Sequence, residues 1–365
     1  LPTVYPPVAR AFDSVTLPVD LEIDAAQSVN IPLQTLADAL KRLQTMHVAN
    51  FAPVELNPSF YSIRGASPGK LSLAFPSDLW CVVGGPGSTT AEIYISTSGE
   101  LWESVSGLIT NTPPGPVLIG LNAVAHDETL GVWVAVGDPE GGDAYIVSSS
   151  SPQSAWTERA TTVNASLRSV ASNGAGVFVA VGDGGVLIRS VDGTTWTTGA
   201  SGTGNDLRKV VWVGALSKWI AVGGLGPTAR IIWSADGIAW TIATNPGTAA
   251  CHDVAWDGTA LCATLVNGTV LTSTNGTSWT LVAAPGYPAF ASVAIAGDPS
   301  GVLLASALVG LYASFDHGAS FQSVGSAGAA NNVYGTMDVQ AIAFGNGRFV
   351  IAGGTGSVGV GLRRG

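Results

Sequence analysis

Three cysteines, Cys81, Cys251 and Cys262, and four histidines, His47, His126, His252 and His317, are the side chains best suited to metal or nucleophilic chemistry. Their spacing does not assemble it. No two cysteines form a C-x-x-C pair, the histidines are far apart in sequence, and His252 beside Cys251 is the one metal-like neighbour pair. Unpaired thiols in this pattern read as small buried hydrophobes, so no metal site and no cofactor is expected. Two Gly-rich stretches, GDGG at 182–185 and GGLG at 223–226, invite a nucleotide-binding reading. Such a loop needs a helix N-terminus behind it. Both stretches lie between strand-like runs and read as hairpin turns. Arg168 and Arg208 stand at equivalent positions beside strand starts, which marks them as features of a repeat.

That repeat positions everything else. One unit is clearest at 167–196, LRSVASNGAGVFVAVGDGGVLIRSVDGTTW. Its first half recurs from Leu121, Leu207, His252, Ala291 and Val339, and in eroded form from Leu71 (LSLAFPSDLWCVVGG). Its second half is S-x-D/N-G-x-x-W, as SVDGTTW at Ser190, SADGIAW at Ser234 and STNGTSW at Ser273. Looser forms begin at Ser96, Ser148 and Ser314. The closing aromatics, Trp102, Trp156, Trp196, Trp240, Trp279 and Phe321, are separated by 54, 40, 44, 39 and 42 residues. A period near 42 is that of a repeat architecture. The apolar runs are too short for helices, the D-G pairs are tight-turn signals, and four strands of about 5–6 residues fit each unit. Strands apolar on both faces suit sheets covered by neighbours. The expected fold is all-β, a seven-bladed β-propeller of four-stranded blades over 51–365. The seventh unit lacks an S-x-D-G-x-x-W segment, and residues 51–63 are the candidate for its missing strand.

Composition agrees and excludes other classes. Charged residues are only 11% of the chain, against about 25% in ordinary globular proteins. With 46% apolar residues, disorder is excluded. A net charge of −10 with 15 scattered Lys and Arg does not suit a nucleic-acid partner. The uncharged stretch 258–297 is broken by glycine, asparagine and proline, so no segment has the ~20 apolar residues of a membrane span. No secretory signal is visible at Leu1, and the absence of an initial Met reads as a processed or trimmed N-terminus.

Before residue 70 the chain is built differently, with 2 of the 47 glycines, 8 of the 20 prolines and no tryptophan. Residues 1–50 are expected to form an extended arm and one α-helix, used for attachment or oligomerisation. The helix is predicted over 31–47, capped by Asn30, with Pro32 in its first turn and Leu33, Leu36, Leu40 and Leu43 on one stripe. That stripe packs either on its own chain or against other copies.

The segment SFDHGASF, 314–321, matches the Asp-box pattern S-x-D-x-G-x-x-W/F, and the other copies are one residue shorter between Asp and Gly. The units over 71–365 resemble the BNR/Asp-box repeats of sialidases, sortilin-type domains and photosystem-II assembly factors of the Ycf48 kind. The resemblance implies a propeller in which Asp192, Asp236, Asn275 and Asp316, with Trp196, Trp240, Trp279 and Phe321, are structural turn residues rather than catalytic ones. A sialidase-type site would need an arginine triad, a Tyr nucleophile with a Glu partner and an Asp acid; nothing in the spacing selects such a set, so no catalytic residue and no enzyme is expected. Residues 29–44, VNIPLQTLADALKRLQ, resemble a segment near the start of many phage tail-fibre and tail-associated proteins, through Asn30, Pro32, Leu33, Gln34, Leu36, Ala37 and Asp38. This resemblance implies a virion structural protein of a phage tail, made in the host cytoplasm. Other tail proteins would be bound through the arm, the chain would form a homo-oligomer in the particle, and the propeller would face a host-surface glycan or protein. The alternative is a cellular propeller of the Ycf48 kind, acting as an assembly or carbohydrate-binding factor, with a sialidase-like glycosidase further behind.

Overall fold

The computed structural model describes residues between 72 and 363, except 75–78, 85–90, 98–102, 106–107, 111–119, 141, 227, 283–293, 308–309, 327–338, 346–347 and 354–356. The chain divides into two units, Leu1–His47 and Val48–Gly365. The arm, the helix expected over 31–47, its Leu33, Leu36, Leu40 and Leu43 stripe and the closing segment 51–63 all lie outside the described residues.

The second unit is an all-β propeller. Its strands form successive antiparallel sheets at 72–104, 109–158, 167–198, 207–242, 251–282, 295–326 and 339–363, called sheets 1 to 7 below. Within each, sequence order is spatial order, as local hairpins require, except that sheet 2 gains a fifth strand, Ile109–Thr110, parallel to Trp156–Glu158. The first strands of the sheets lie side by side in sequence order, and that of sheet 7, Val339–Gly345, lies beside that of sheet 1, Ser72–Ala74. The expectation of seven four-stranded blades needs correction: six sheets have four strands or more, and the seventh has three among the described residues. In the other blades the fourth strand follows an S-x-D/N-G-x-x-W turn or a degenerate copy of it.

The core lies between the faces of adjacent sheets. Val179, Val181 and Leu187 of sheet 3 pack on Leu207, Val210 and Trp219 of sheet 4. Val134 and Ile146 of sheet 2 pack on Leu167, Val170 and Phe178 of sheet 3. This is why a second strand such as Phe178–Gly182 is buried along its whole length instead of alternating. Among the described residues helical structure is limited to 3₁₀ turns, at Leu108, Asp183–Gly185 and Gly214–Leu216, and no helix is long and apolar enough to cross a membrane.

Alternation of strand direction sorts the connections into two faces. Starts of the first strands, turns between second and third strands, and links between sheets share one side, the entry face. The first hairpins and the Asp-box turns share the other, the Asp-box face.

One device recurs at the entry face. The glycine of V-A-V-G on the second strand, or its equivalent, pairs with the first residue of the first strand: Leu121 with Gly137, Leu167 with Gly182, Leu207 with Gly223. A Cβ at Gly137, Gly182 or Gly223 would stand 2.3, 2.0 or 2.0 Å from the carbonyl oxygen preceding that first strand. No side chain fits so close to backbone. Gly182→Ala is therefore expected to lower stability by about 1–3 kcal/mol. Gly204→Ala, where a Cβ meets nothing within 4 Å, is expected to change it by less than about 0.5 kcal/mol. Urea denaturation of both variants checks the pair.

Candidate functional site

The register skips one residue just after each of those pairs. Pairing jumps from Leu121 to Ala123, Leu167 to Ser169, Leu207 to Lys209, Cys251 to Asp253 and Val339 to Ala341. Five β-bulges at one position thus set five polar residues out of the ladder: Asn122, Arg168, Arg208, His252 and Gln340. A bulge re-aims a side chain and is a frequent neighbour of binding sites. All five stand at the entry face, one per blade.

Their surroundings differ. Asn122 Nδ2 donates to Asp138 Oδ1 at 2.8 Å and to the Leu167 carbonyl at 3.0 Å. Arg168 grips Asp183 with two nitrogens, Nε to Oδ1 at 2.7 Å and Nη2 to Oδ2, and reaches Asp138 with Nη1 at 3.4 Å. The Asp183 hydrogen bond raises the Arg168 pKa against the desolvation that lowers it. Asp206 in turn accepts the Gly184 N–H at 2.9 Å. Arg208 is half-buried and pairs with no carboxylate among the described residues. The reason is local. Asp138 and Asp183 follow the glycine of V-A-V-G in sheets 2 and 3, but sheet 4 has Gly224 there, at φ +137° with a would-be Cβ 2.2 Å from the Thr228 carbonyl oxygen. No carboxylate can occupy that place.

In sheets 3, 4 and 5 the next residue along the first strand ties blade to blade. Ser169 Oγ accepts the Val210 N–H at 3.2 Å. Asp253 Oδ2 accepts the Ile295 N–H at 3.1 Å, while Lys209 Nζ lies 3.6 Å from Oδ1. Burial pushes the Asp253 carboxyl up, and Lys209 counters it.

At the opposite face the Asp-box residues form self-contained turns. Ser190 Oγ donates to Asp192 Oδ1 at 2.9 Å and accepts the Gly193 N–H at 2.9 Å, while Asp192 Oδ1 accepts the N–H groups of Thr194 and Thr195, each at 2.7 Å. Ser234 and Asp236, Ser273 and Asn275, and Ser314 and Asp316 repeat the arrangement. Each turn also seats on the preceding blade. The glycine stands where a Cβ would meet Val132 (Gly193), Val179 (Gly237), Ile220 (Gly276) or Cys262 (Gly318) within 3.1 Å. Trp279 is buried, with Nε1 donating to the Gly276 carbonyl at 3.2 Å, and Phe321 is buried. Trp196 and Trp240 are half-buried, and their Nε1 atoms have no hydrogen-bond partner among the described residues.

The cysteines are buried and unpaired. Burial raises all three thiols, Cys251 to about 12 against the nearby Arg208 charge, so none is a thiolate at neutral pH. Among the described residues no group of three or more His, Cys, Asp or Glu could hold a metal ion. The sequence places Arg168 and Arg208 at equivalent positions but does not show the bulge. Its trace is a polar residue second in each run, as in L-N-A-V, L-R-S-V, L-R-K-V, C-H-D-V and V-Q-A-I.

No family model matches the chain, and no curated protein matches it. Solved propellers do. A YCF48 described as bound to D1 peptide is 16% identical, with 83% of this chain and 95% of that one covered and a TM-score of 0.60. YCF48 from Cyanidioschyzon merolae is 14% identical over 81% and 97%, with a TM-score of 0.59. A GH74 enzyme from Niastella koreensis is 17% identical over 83% of this chain and 43% of that one, with a TM-score of 0.52. At these identities the likeness shows the fold alone. The phage resemblance of residues 29–44 has no counterpart among these matches.

The turn geometry yields a stability prediction. Asp192→Ala is expected to cost about 1–2 kcal/mol through lost turn hydrogen bonds. Partial burial pushes the Asp192 carboxyl up, but the Thr195 and Thr194 N–H groups and the Ser190 hydroxyl outweigh it and hold it below the usual range. The Ile238 and Ala239 N–H groups do the same for Asp236. A depressed carboxyl stabilises the fold above its unfolded pKa, about 3.9, and that contribution is lost as pH falls through the folded value. The deficit of Asp192→Ala, measured by urea denaturation at pH 7 and pH 3, is therefore expected to shrink at the lower pH.

Proposed function

We propose that this chain is a non-catalytic propeller that binds a segment of another protein across its entry face, with Arg208 as the anchor for an acidic group. The observation that carries this is the uncompensated Arg208 in a row of bulge residues, beside an Arg168 already gripped by carboxylates. A half-buried guanidinium has a fixed fork of donors and little left to lose by desolvation, so it favours a carboxylate from outside.

Shape supports the same reading. The second and third strands of sheet 3, Phe178–Gly182 and Leu187–Ser190, are short and joined by the Asp183–Gly185 turn. Those of sheet 2, Val132–Glu140 and Asp143–Ser149, and of sheet 4, Lys218–Leu225 and Thr228–Ser234, run longer. Sheet 3 is thus a low floor between two taller hairpins. Leu225, 65% exposed at the tip of one of them, offers an apolar contact on the same face. The likeness to a YCF48 bound to a peptide supports a protein-binding propeller over the phage attachment role, which no observation on the described residues favours. The GH74 enzyme shares the fold, but this chain spans less than half its length.

An array of random 12-residue peptides probed with the intact chain tests the proposal. Bound peptides are expected to carry an acidic group and to weaken by about tenfold or more with Arg208→Glu. They should be kept by Ile238→Ser on the Asp-box face. Absence of binding, or binding indifferent to Arg208→Glu, contradicts the proposal.

A further inference from the structure

A different site lies on the Asp-box face, between sheets 5 and 6. The Asp-box turn of sheet 6 is one residue longer than those of sheets 3, 4 and 5, and the extra residue is His317. It holds φ +60°, followed by Gly318 at φ +85°. The shorter turns place glycine at this point, Gly193, Gly237 and Gly276 at φ +70°, +73° and +75°. A histidine in the left-handed region is uncommon and persists where its surroundings hold it.

What holds it is Asp257 of sheet 5, fully buried, whose Oδ2 lies 2.8 Å from His317 Nδ1. The other carboxylate oxygen is taken by the N–H groups of Thr259 and Ala260 at 2.9 and 2.7 Å. Gly301 makes room for the ring, since a Cβ there would stand 3.0 Å from His317 Cε1. Closing a buried aspartate at this point does not require an imidazole. The equivalent Asp127 of sheet 2 is closed by the Ser172 hydroxyl at 2.6 Å and the Gly176 N–H at 2.8 Å. Those groups leave nothing over. In its neutral form, an imidazole that donates Nδ1–H to a carboxylate keeps Nε2 as a free acceptor.

His317 is 45% exposed and lines a cleft of about 340 Å³ with Thr272, Thr274, Ser278 and Thr280. That volume suits a small ligand. The wall selects its class. Asp316, also in the lining, is engaged by Ser314 and Ser320, so it offers a cation little, and with Asp257 behind the histidine it repels an anion. Ala260 and Ala319 are the apolar part of the lining, too little for an apolar ligand. Threonine and serine hydroxyls around one fixed imidazole acceptor match a neutral molecule carrying several hydroxyls.

The geometry points to a second binding site, independent of the entry face, in which His317, oriented by Asp257, and the hydroxyls of Thr272 and Thr280 take a neutral saccharide of one or two rings. Asp257 is a positioning residue, since it touches the imidazole and not the cleft.

Saturation-transfer NMR on the intact chain tests this, with methyl glucoside, methyl galactoside, N-acetylglucosamine, cellobiose and lactose as probes at millimolar concentration. At least one probe is expected to bind. His317→Gly, which suits the left-handed backbone, and Thr272→Val, which leaves the turn untouched, should each weaken it tenfold or more. Asp257→Asn can keep the contact while reversing its donor and acceptor, so that Nε2 becomes a donor, and should weaken the same probe severalfold in a chain that melts as the parent does. Arg208→Glu should leave the affinity unchanged. Binding of none of the five probes overturns the inference, as does binding that Thr272→Val and Asp257→Asn leave intact.

Discussion

The propeller depends on a hydrogen bond made at the entry to the first strand, seen in sheets 2 to 5 among the described residues. On the second strand, the residue after the one paired with the first strand's first residue donates its N–H to the carbonyl just before the first strand. The pairs are Asp138 to Gly120, Asp183 to Ser166, Gly224 to Asp206 and Val266 to Ala250, at 3.2, 3.0, 2.9 and 3.0 Å. This bond pulls the start of the first strand onto the end of the second and forces the ladder to skip a residue. In three blades the approach is close enough to demand glycine. In sheet 5 Leu265 stands at that place and both the bond and the skip remain, so the hydrogen bond, not the glycine, is the constant feature. One backbone constraint therefore fixes where V-A-V-G must end and why a polar side chain leaves the sheet beside it.

The two faces of the ring follow from it and divide the polar chemistry. On the Asp-box face the serine and carboxylate side chains are consumed by their own turns, and their glycines seat each blade on the one before. The polar groups there are structural wherever the turn is short, and the longer turn of sheet 6 is the exception. On the entry face the skipped residues stand outside the ladder, so their partners depend on what each blade carries after its glycine. Aspartate in sheets 2 and 3 builds a closed network around Arg168. Gly224 in sheet 4 leaves Arg208 open.

Much of this was legible in the residues. The recurrence of S-x-D-G-x-x-W and V-A-V-G at a steady period, with strands apolar on both sides, leads directly to a radial stack of small sheets. The turn residues Asp192, Asp236, Asn275 and Asp316 were legible because their partners lie within four positions. The bulges were not, because a one-residue slip leaves no period, and L-R-S-V reads as an ordinary alternating strand. The extra histidine in SFDHGASF was visible, but its aspartate is 60 positions away in the previous unit. Counting V-A-V-G segments overstates the last unit, since it assigns a full blade to a sheet with three strands among the described residues.

In the proposed reading the bulge row makes the entry face the surface that meets a protein partner. A photo-crosslinking amino acid at Leu225 on that face, and separately at Val191 on the opposite face, addresses it in cells that make the protein. Both positions are exposed, 65% and 56%, so reach alone does not favour either. A discrete crosslinked protein is expected from Leu225, lost when Arg208→Glu is added, and none from Val191. A crosslink from Val191 with none from Leu225 would contradict it.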